Sequence, residues 1–206
     1  MADLRIRSCM TPDTRTLEAD RRERISEQDW VSAALELMAA HGLRAVTINA
    51  VCRRVNLPRE RFYRFFDDMA TLRKAMVTSW AHSYGRNVPS RDRGDMSSPR
   101  QRLASMLESL SSPRHRVLER AMREWARSDA SVGTALRVAD RQAVADMHEV
   151  FLAAGFDPAG AAVRANTLFA AFVGYLHLTG ANPGSAVSSQ REDLLDLFLD
   201  DPRPLR

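Results

Sequence analysis

Residues 47–68 read TINAVCRRVNLPRERFYRFFDD. Thr47 offers the side-chain oxygen that a helix N-cap requires, and Ile48, Val51, Cys52 and Val55 recur behind it at helical spacing, so a short helix through about Arg54 is predicted. Asn56-Leu57 supplies a turn, since Asn tolerates the left-handed conformation. Pro58 suits the first position of a new helix, where its missing N–H would have had no partner. That next helix, over roughly Pro58–Phe65, turns Phe62 and either Phe65 or Phe66 inward. Between residues 53 and 64, Arg53, Arg54, Arg59, Arg61 and Arg64 stand against one acid, Glu60, which is the densest basic cluster in the chain.

Upstream, from Ser26 or Glu27 to His41, the side chains of Trp30, Ala34, Leu37, Met38 and His41 fall on one helical face, and Gly42 supplies the stop. Residues 1–23 are polar and show no apolar stripe, so they read as a flexible arm. Downstream, Asp67 or Asp68 can cap a longer helix through about Tyr84, with Met69, Leu72, Met76, Trp80 and Tyr84 near one stripe. Three helices with short connections, the last one basic, match a helix-turn-helix that lays its final helix in a DNA major groove. Charge alone fits a solvated basic face equally well; the spacing separates the two.

Residues 85–98, GRNVPSRDRGDMSS, have the composition of a linker. After it, Ser98-Pro99, Ser112-Pro113 and Asp157-Pro158 each place a cap before a proline, and Asp129 caps one more helix. The helices run over about 99–111, 113–127, 130–154, 158–180 and 190–200, and no segment alternates as a strand would. The expected fold is all-α. Residues 161–179, AAVRANTLFAAFVGYLHLT, are apolar nearly all round, which favours a subunit interface through Leu168, Phe169, Phe172, Val173 and Leu176 over a central core helix.

Composition narrows the function classes. In 206 residues, 45% are hydrophobic and 27% charged, ordinary values for a folded protein. The net charge of +4 is carried almost wholly by arginine, Lys74 being the only lysine. Cys9 and Cys52 favour neither a disulfide nor a metal site. No secretory signal is read at the N-terminus and no apolar run approaches the roughly 18–20 residues of a membrane span, so a cytoplasmic chain without membrane contact is expected. The five histidines form no i, i+4 pair, and there is neither a Gly-rich phosphate loop nor a Cys-x-x-Cys, so an all-helical enzyme gains no support and no cofactor is expected.

From Arg24 to Met76 the chain resembles the N-terminal domain of the tetracycline-repressor (TetR) family. The resemblance runs through Trp30-x-x-Ala33-Ala34-x-x-Leu37-Met38, then His41-Gly42-Leu43-x-Ala45-Val46-Thr47-Ile48, Val55-Asn56-Leu57, and Phe62-Tyr63-Arg64-Phe65-Phe66-Asp67 with Leu72. It implies a DNA-reading domain over 24–68 and a ligand-sensing, dimerising domain over 69–206. By the same resemblance Thr47 is a phosphate-contacting cap and Tyr63 touches the DNA backbone or a thymine methyl. Arg59, Glu60, Arg61 and Arg64 take recognition-helix positions, where arginine would read guanine.

The chain departs from the family pattern at Pro58, Glu60 and Arg61, which suggests a different operator. It departs also at Phe65 and Met69, which puts two phosphate contacts in doubt. Glu124-Trp125-Ala126-Arg127-Ser128-Asp129 and Phe151-x-x-x-Gly155-Phe156 look like a TetR-type regulatory domain. This implies a homodimer on a two-fold symmetric double-stranded operator, and repression released by a small apolar effector. Trp80, Tyr84, Met106, Met122, Trp125, Met147 and Phe151 are the pocket candidates, although such side chains at helical spacing also suit a plain core.

Overall fold

The computed structural model describes residues 25–86, 98–178 and 186–200. The arm expected over 1–23 and most of the linker lie outside them. The described residues form nine α-helices and one 3-10 turn, with no strand.

Helix α1, Glu27–His41, starts where Ser26 and Asp29 close on one another, the Ser26 N–H donating to the Asp29 carboxylate at 2.8 Å. It stops at Gly42, whose φ of 78° lies in the region that glycine alone enters freely. The expected inner residues Trp30, Ala34 and Met38 are buried, and Val31 and Ala33 join them because α1 is covered from two sides. His41, expected inward, is exposed in the last turn. A 3-10 turn, Leu43–Ala45, leads to α2, Ile48–Val55. The Thr47 hydroxyl oxygen accepts from Ala50 N–H at 3.2 Å, as a cap should, and Asn56 takes the left-handed conformation at φ 57°.

Helix α3, Arg59–Phe62, is shorter than the periodicity predicts. Pro58, at ψ 160°, precedes the helix as its cap rather than opening it, and residues 63–65 close in tighter turns, with Phe65 N–H donating to Phe62 O at 3.0 Å. The tightening rotates the aromatic run so that Phe62 and Phe66 are both buried while Phe65 faces out at 36% exposure. Helix α4, Met69–Arg86, is capped by Asp68, whose carboxylate accepts from Thr71 N–H at 2.7 Å and is held below the usual carboxylate range by that bond.

Five further helices follow: α5, Pro99–Ser111; α6, Pro113–Ala126; α7, Ala130–Ala153; α8, Pro158–Leu178; and α9, Ala186–Leu199. Their starts fall where the serine, aspartate and proline pairs place them, with Ser98 accepting from Gln101 N–H and Asp129 from Ser131 N–H. α9 begins four residues earlier than expected. Pro158–His177 of α8 has the length and the mean hydropathy, 1.2, of a membrane span, a match the sequence reading did not register. Arg164 lies within it, stacked over Phe156 at 4.0 Å and donating to the Phe198 carbonyl.

Two apolar cores result. The first contains Trp30, Phe62, Phe66, Leu72, Met76 and Trp80 and continues without a break into Met122, Trp125, Val132 and Leu136 of α6 and α7. The second gathers Leu103, Met147, Phe151, Leu168, Phe172 and Leu195 from α5, α7, α8 and α9.

A charged cluster is buried beside the first core. Glu119 is fully enclosed, ion-paired with Arg123 at 2.8 Å, and Arg123 also grips Asp140 at 2.7 Å. Trp80 of α4 lies beside this carboxylate, so α4 meets α6 at Glu119. Burial pushes Glu119 from 4.5 up to about 7, against the pull of Arg123. Burial, aided by the Arg123 charge, pushes His115 from 6.5 down to about 4.

These two shifts act in opposite senses. The raised Glu119 contributes stability that is fully present below pH 4.5 and is lost as pH rises through about 7. The depressed His115 contributes stability that is present above pH 6.5 and is lost as pH falls through about 4. Replacing Glu119 by Gln removes only the first. The melting temperature of Glu119→Gln minus that of the wild type should therefore climb as pH rises from 4.5 to 7; a difference independent of pH would show that the carboxyl titrates normally. In the first core, Phe62→Ala should cost about 3–5 kcal/mol by urea unfolding, as large aromatic truncations do. A cost below about 1 kcal/mol would mean that Phe62 is not the wedge its burial indicates.

Candidate nucleic-acid interface

Helix α3 has a single turn, and its position comes from its neighbours. Phe62 meets Trp30 of α1 edge-on, with ring centroids 5.7 Å apart, and Phe66 at 5.4 Å, so one aromatic side chain locks α3 against the first helix. With Phe62 inward, the remaining directions of a one-turn helix face out. Arg59, Glu60, Tyr63 and Arg64 are exposed and Arg61 is half-buried.

Thr47 is exposed at the start of α2. Its oxygen accepts from Ala50 N–H, which leaves the hydroxyl hydrogen available to donate to an anion beside the helix N-terminus. The structure thus brings Thr47, Arg59, Glu60, Arg61, Tyr63 and Arg64 onto accessible surface of the two short helices and their turns.

The arginines of the segment divide. Arg54 donates to the Glu36 carboxylate at 2.8 Å and straps α2 to α1, and Arg114 of α6 approaches the other oxygen of Glu36 at 3.7 Å. Arg59 turns back along α3 and donates to the Tyr63 hydroxyl from Nη2 at 3.0 Å and from Nε at 3.3 Å, with its guanidinium carbon 5.6 Å from the ring centre. Tyr63 remains 47% exposed. Met69 is half-buried against the first core, in keeping with an apolar residue where a phosphate contact would need a base.

The pocket candidates do not gather. Trp80, Met122 and Trp125 belong to the first core, Met106, Met147 and Phe151 to the second, and the Tyr84 side chain lies outside the described residues. A cleft of about 300 Å³ opens between α1, α4 and α6, lined by Gln28, Ser32, Glu36, Ser79, Trp80 and His115 among others. Of the six candidates whose side chains are described, Trp80 alone borders it. The cleft's polar wall and the Glu119 cluster behind Trp80 were not singled out from sequence. In the run RHRVLERAMR, residues 114–123, Glu119 reads as one more surface charge, and only its i, i+4 spacing from Arg123 hints at a pair.

The interface candidates divide as well. Leu168, Phe172 and Leu176 point into the subunit's own second core, so they are not available to a partner; Phe169 and Val173 are half-buried. The apolarity of α8 that suggested an interface is thus partly spent inside the subunit. The opposite stripe carries Val163, Thr167, Ala170, Gly174 and His177, with Val163 53% exposed.

Residues 31–76 match the model of the bacterial regulatory proteins of the tetR family. No curated protein sequence matches the chain. Among solved structures, a transcriptional regulator from Rhodococcus sp. Rha1 shares 17% identity at a TM-score of 0.69, over 85% of this chain and 94% of its own. A TetR-family regulator from Mesorhizobium loti shares 18% identity at a TM-score of 0.65, over 88% and 96%. A transcriptional regulator from Pseudomonas aeruginosa PAO1 shares 17% identity at 0.66, over 86% and 92%. Residues 31–76 thus match the tetR-family model, and the chain as a whole takes the fold of these transcriptional regulators.

Proposed function

We propose that the chain is a homodimeric repressor that reads a two-fold symmetric operator through residues 47–64 and is released by a small apolar effector. The observation that carries the DNA-reading part is the exposed set Arg59, Glu60, Tyr63 and Arg64, with half-buried Arg61 beside them, on and just after a helix fixed by Phe62. Thr47 and Arg61 hold phosphates. Arg59 and Arg64 reach base edges, for which a guanidinium supplies the paired donors that guanine O6 and N7 accept.

Dimerisation proceeds through the outward stripe of α8. Its small residues admit a second helix at close range, and a Cβ added at Gly174 would meet nothing within 4 Å in this subunit. Two such subunits set their α3 helices about one DNA turn apart, roughly 34 Å. Release follows from the way α4 is held. It packs on α1 in the reading head and on α7 in the body, so a ligand favouring another seat for Trp80 shifts the heads off half-site spacing. The cleft beside Trp80 is the first place for such a ligand.

Footprinting on the DNA upstream of the gene, over a salt series, tests the reading. A protected two-fold symmetric site is expected, its affinity falling steeply with salt. Arg61→Ala should lower the slope of log affinity against log salt by about 1, as the loss of one phosphate contact does. Protection no stronger than on random DNA, there and across a genome-wide selection, would overturn it. For the dimer, Ala170→Arg should sediment as a monomer with unchanged helicity and lose the footprint. If it stays dimeric, the interface lies elsewhere.

A further inference from the structure

Resting on the DNA-reading function just proposed, we infer that Tyr63 is a positioning residue for base recognition: its hydroxyl aims Arg59 so that the end of the guanidinium reads a guanine in each half-site.

The argument is one of donor bookkeeping. A guanidinium offers two forked edges, a side edge made by Nε and Nη2 and an end edge made by Nη1 and Nη2. In this structure the side edge is taken: Nε and Nη2 both donate to the one Tyr63 oxygen, at 3.3 and 3.0 Å. What remains is the end edge, one hydrogen on Nη2 and two on Nη1, in the plane the phenol fixes. Two parallel N–H groups at that edge match O6 and N7 of guanine, whereas adenine presents an acceptor beside a donor and would set an N–H against an N–H.

The ring adds to the orientation. The guanidinium carbon, 5.6 Å from the ring centre, is within the range where an aromatic face attracts a cation. A long, exposed arginine is therefore ordered before DNA arrives, which lowers the ordering cost of the contact. The Tyr63 oxygen accepts from Arg59 and still holds a hydrogen of its own, free to donate to a phosphate. One hydroxyl thus links the backbone contact, which sets the register, to the side chain that reads the base. Arg54 illustrates the opposite use of the same residue type, its guanidinium being bound to Glu36 inside the head.

The test selects bound duplexes from a random double-stranded DNA library with the full chain, its Arg59→Ala variant and its Tyr63→Phe variant, each first shown to melt at the wild-type temperature. The wild type should return a symmetric motif with a guanine at one fixed position per half-site. Arg59→Ala should lose about tenfold in preference at that base pair and little elsewhere. Tyr63→Phe, which keeps the ring and removes the hydroxyl, should lose about threefold at the same pair, the size of one modest hydrogen bond, with the other positions unchanged. Replacing that guanine by 7-deazaguanine in the selected duplex should weaken the wild type more than Tyr63→Phe. If Tyr63→Phe keeps the full guanine preference, or weakens binding evenly over all sequences as a lost phosphate contact would, the inference is overturned while the DNA-reading function stands. A wild type that returns no motif overturns both.

Discussion

A helix of four residues cannot hold itself together in water, because forming the first turn fixes several dihedrals for one hydrogen bond. Helix α3 exists only because Phe62 is driven between Trp30 and Phe66, with ring centroids within 6 Å of both. Everything assigned to the reading surface hangs on that wedge. The same insertion that buries Phe62 turns Tyr63 and Arg64 outward and brings Arg59 within reach of the Tyr63 hydroxyl four residues on.

The wedge is not confined to a separate head. The core around Trp30 runs through Leu72, Met76 and Trp80 of α4 into Met122, Trp125 and Val132. In a chain built this way α4 cannot move without disturbing the base of α3. Its polar counterpart is the carboxylate of Glu119, which lies beside Trp80 and is ion-paired with Arg123. A buried carboxylate with a pKa near neutrality is a costly feature in an apolar core. It lies at the contact between α4 and α6.

Much of this was legible from local chemistry. Thr47, Asn56, Asp68, Ser98, Ser112 and Asp129 mark element boundaries because a cap or a left-handed turn depends only on the residues beside it, and each sits where the chain predicts. The aromatic run could be placed but not oriented: Phe65 and Phe66 differ only in which is carried inward, and that depends on how tightly residues 63–65 turn. The long-range features were not legible. Leu168, Phe172 and Leu176 share the helix periodicity of an interface, yet they are buried in the subunit's second core, and no spacing within α8 states which face the subunit keeps for itself. Glu119 looks like any helix-surface acid until α7 brings Asp140 against its partner. Of the pocket candidates, Trp80, Met122 and Trp125 lie in one core and Met106, Met147 and Phe151 in the other, a division that residue type and helix position do not state.

The central claim is that two copies of this chain read DNA through residues 47–64 with α3 as the reading element. A crystal structure of the chain bound to a duplex selected by it tests that most directly. The account predicts two protomers joined along the outward stripe of α8, each placing α3 in one of two successive major grooves, with Thr47 on a phosphate and the end of Arg59 on a guanine. DNA lying against any other surface, or a single protomer per site with α3 turned away from the groove, would contradict it.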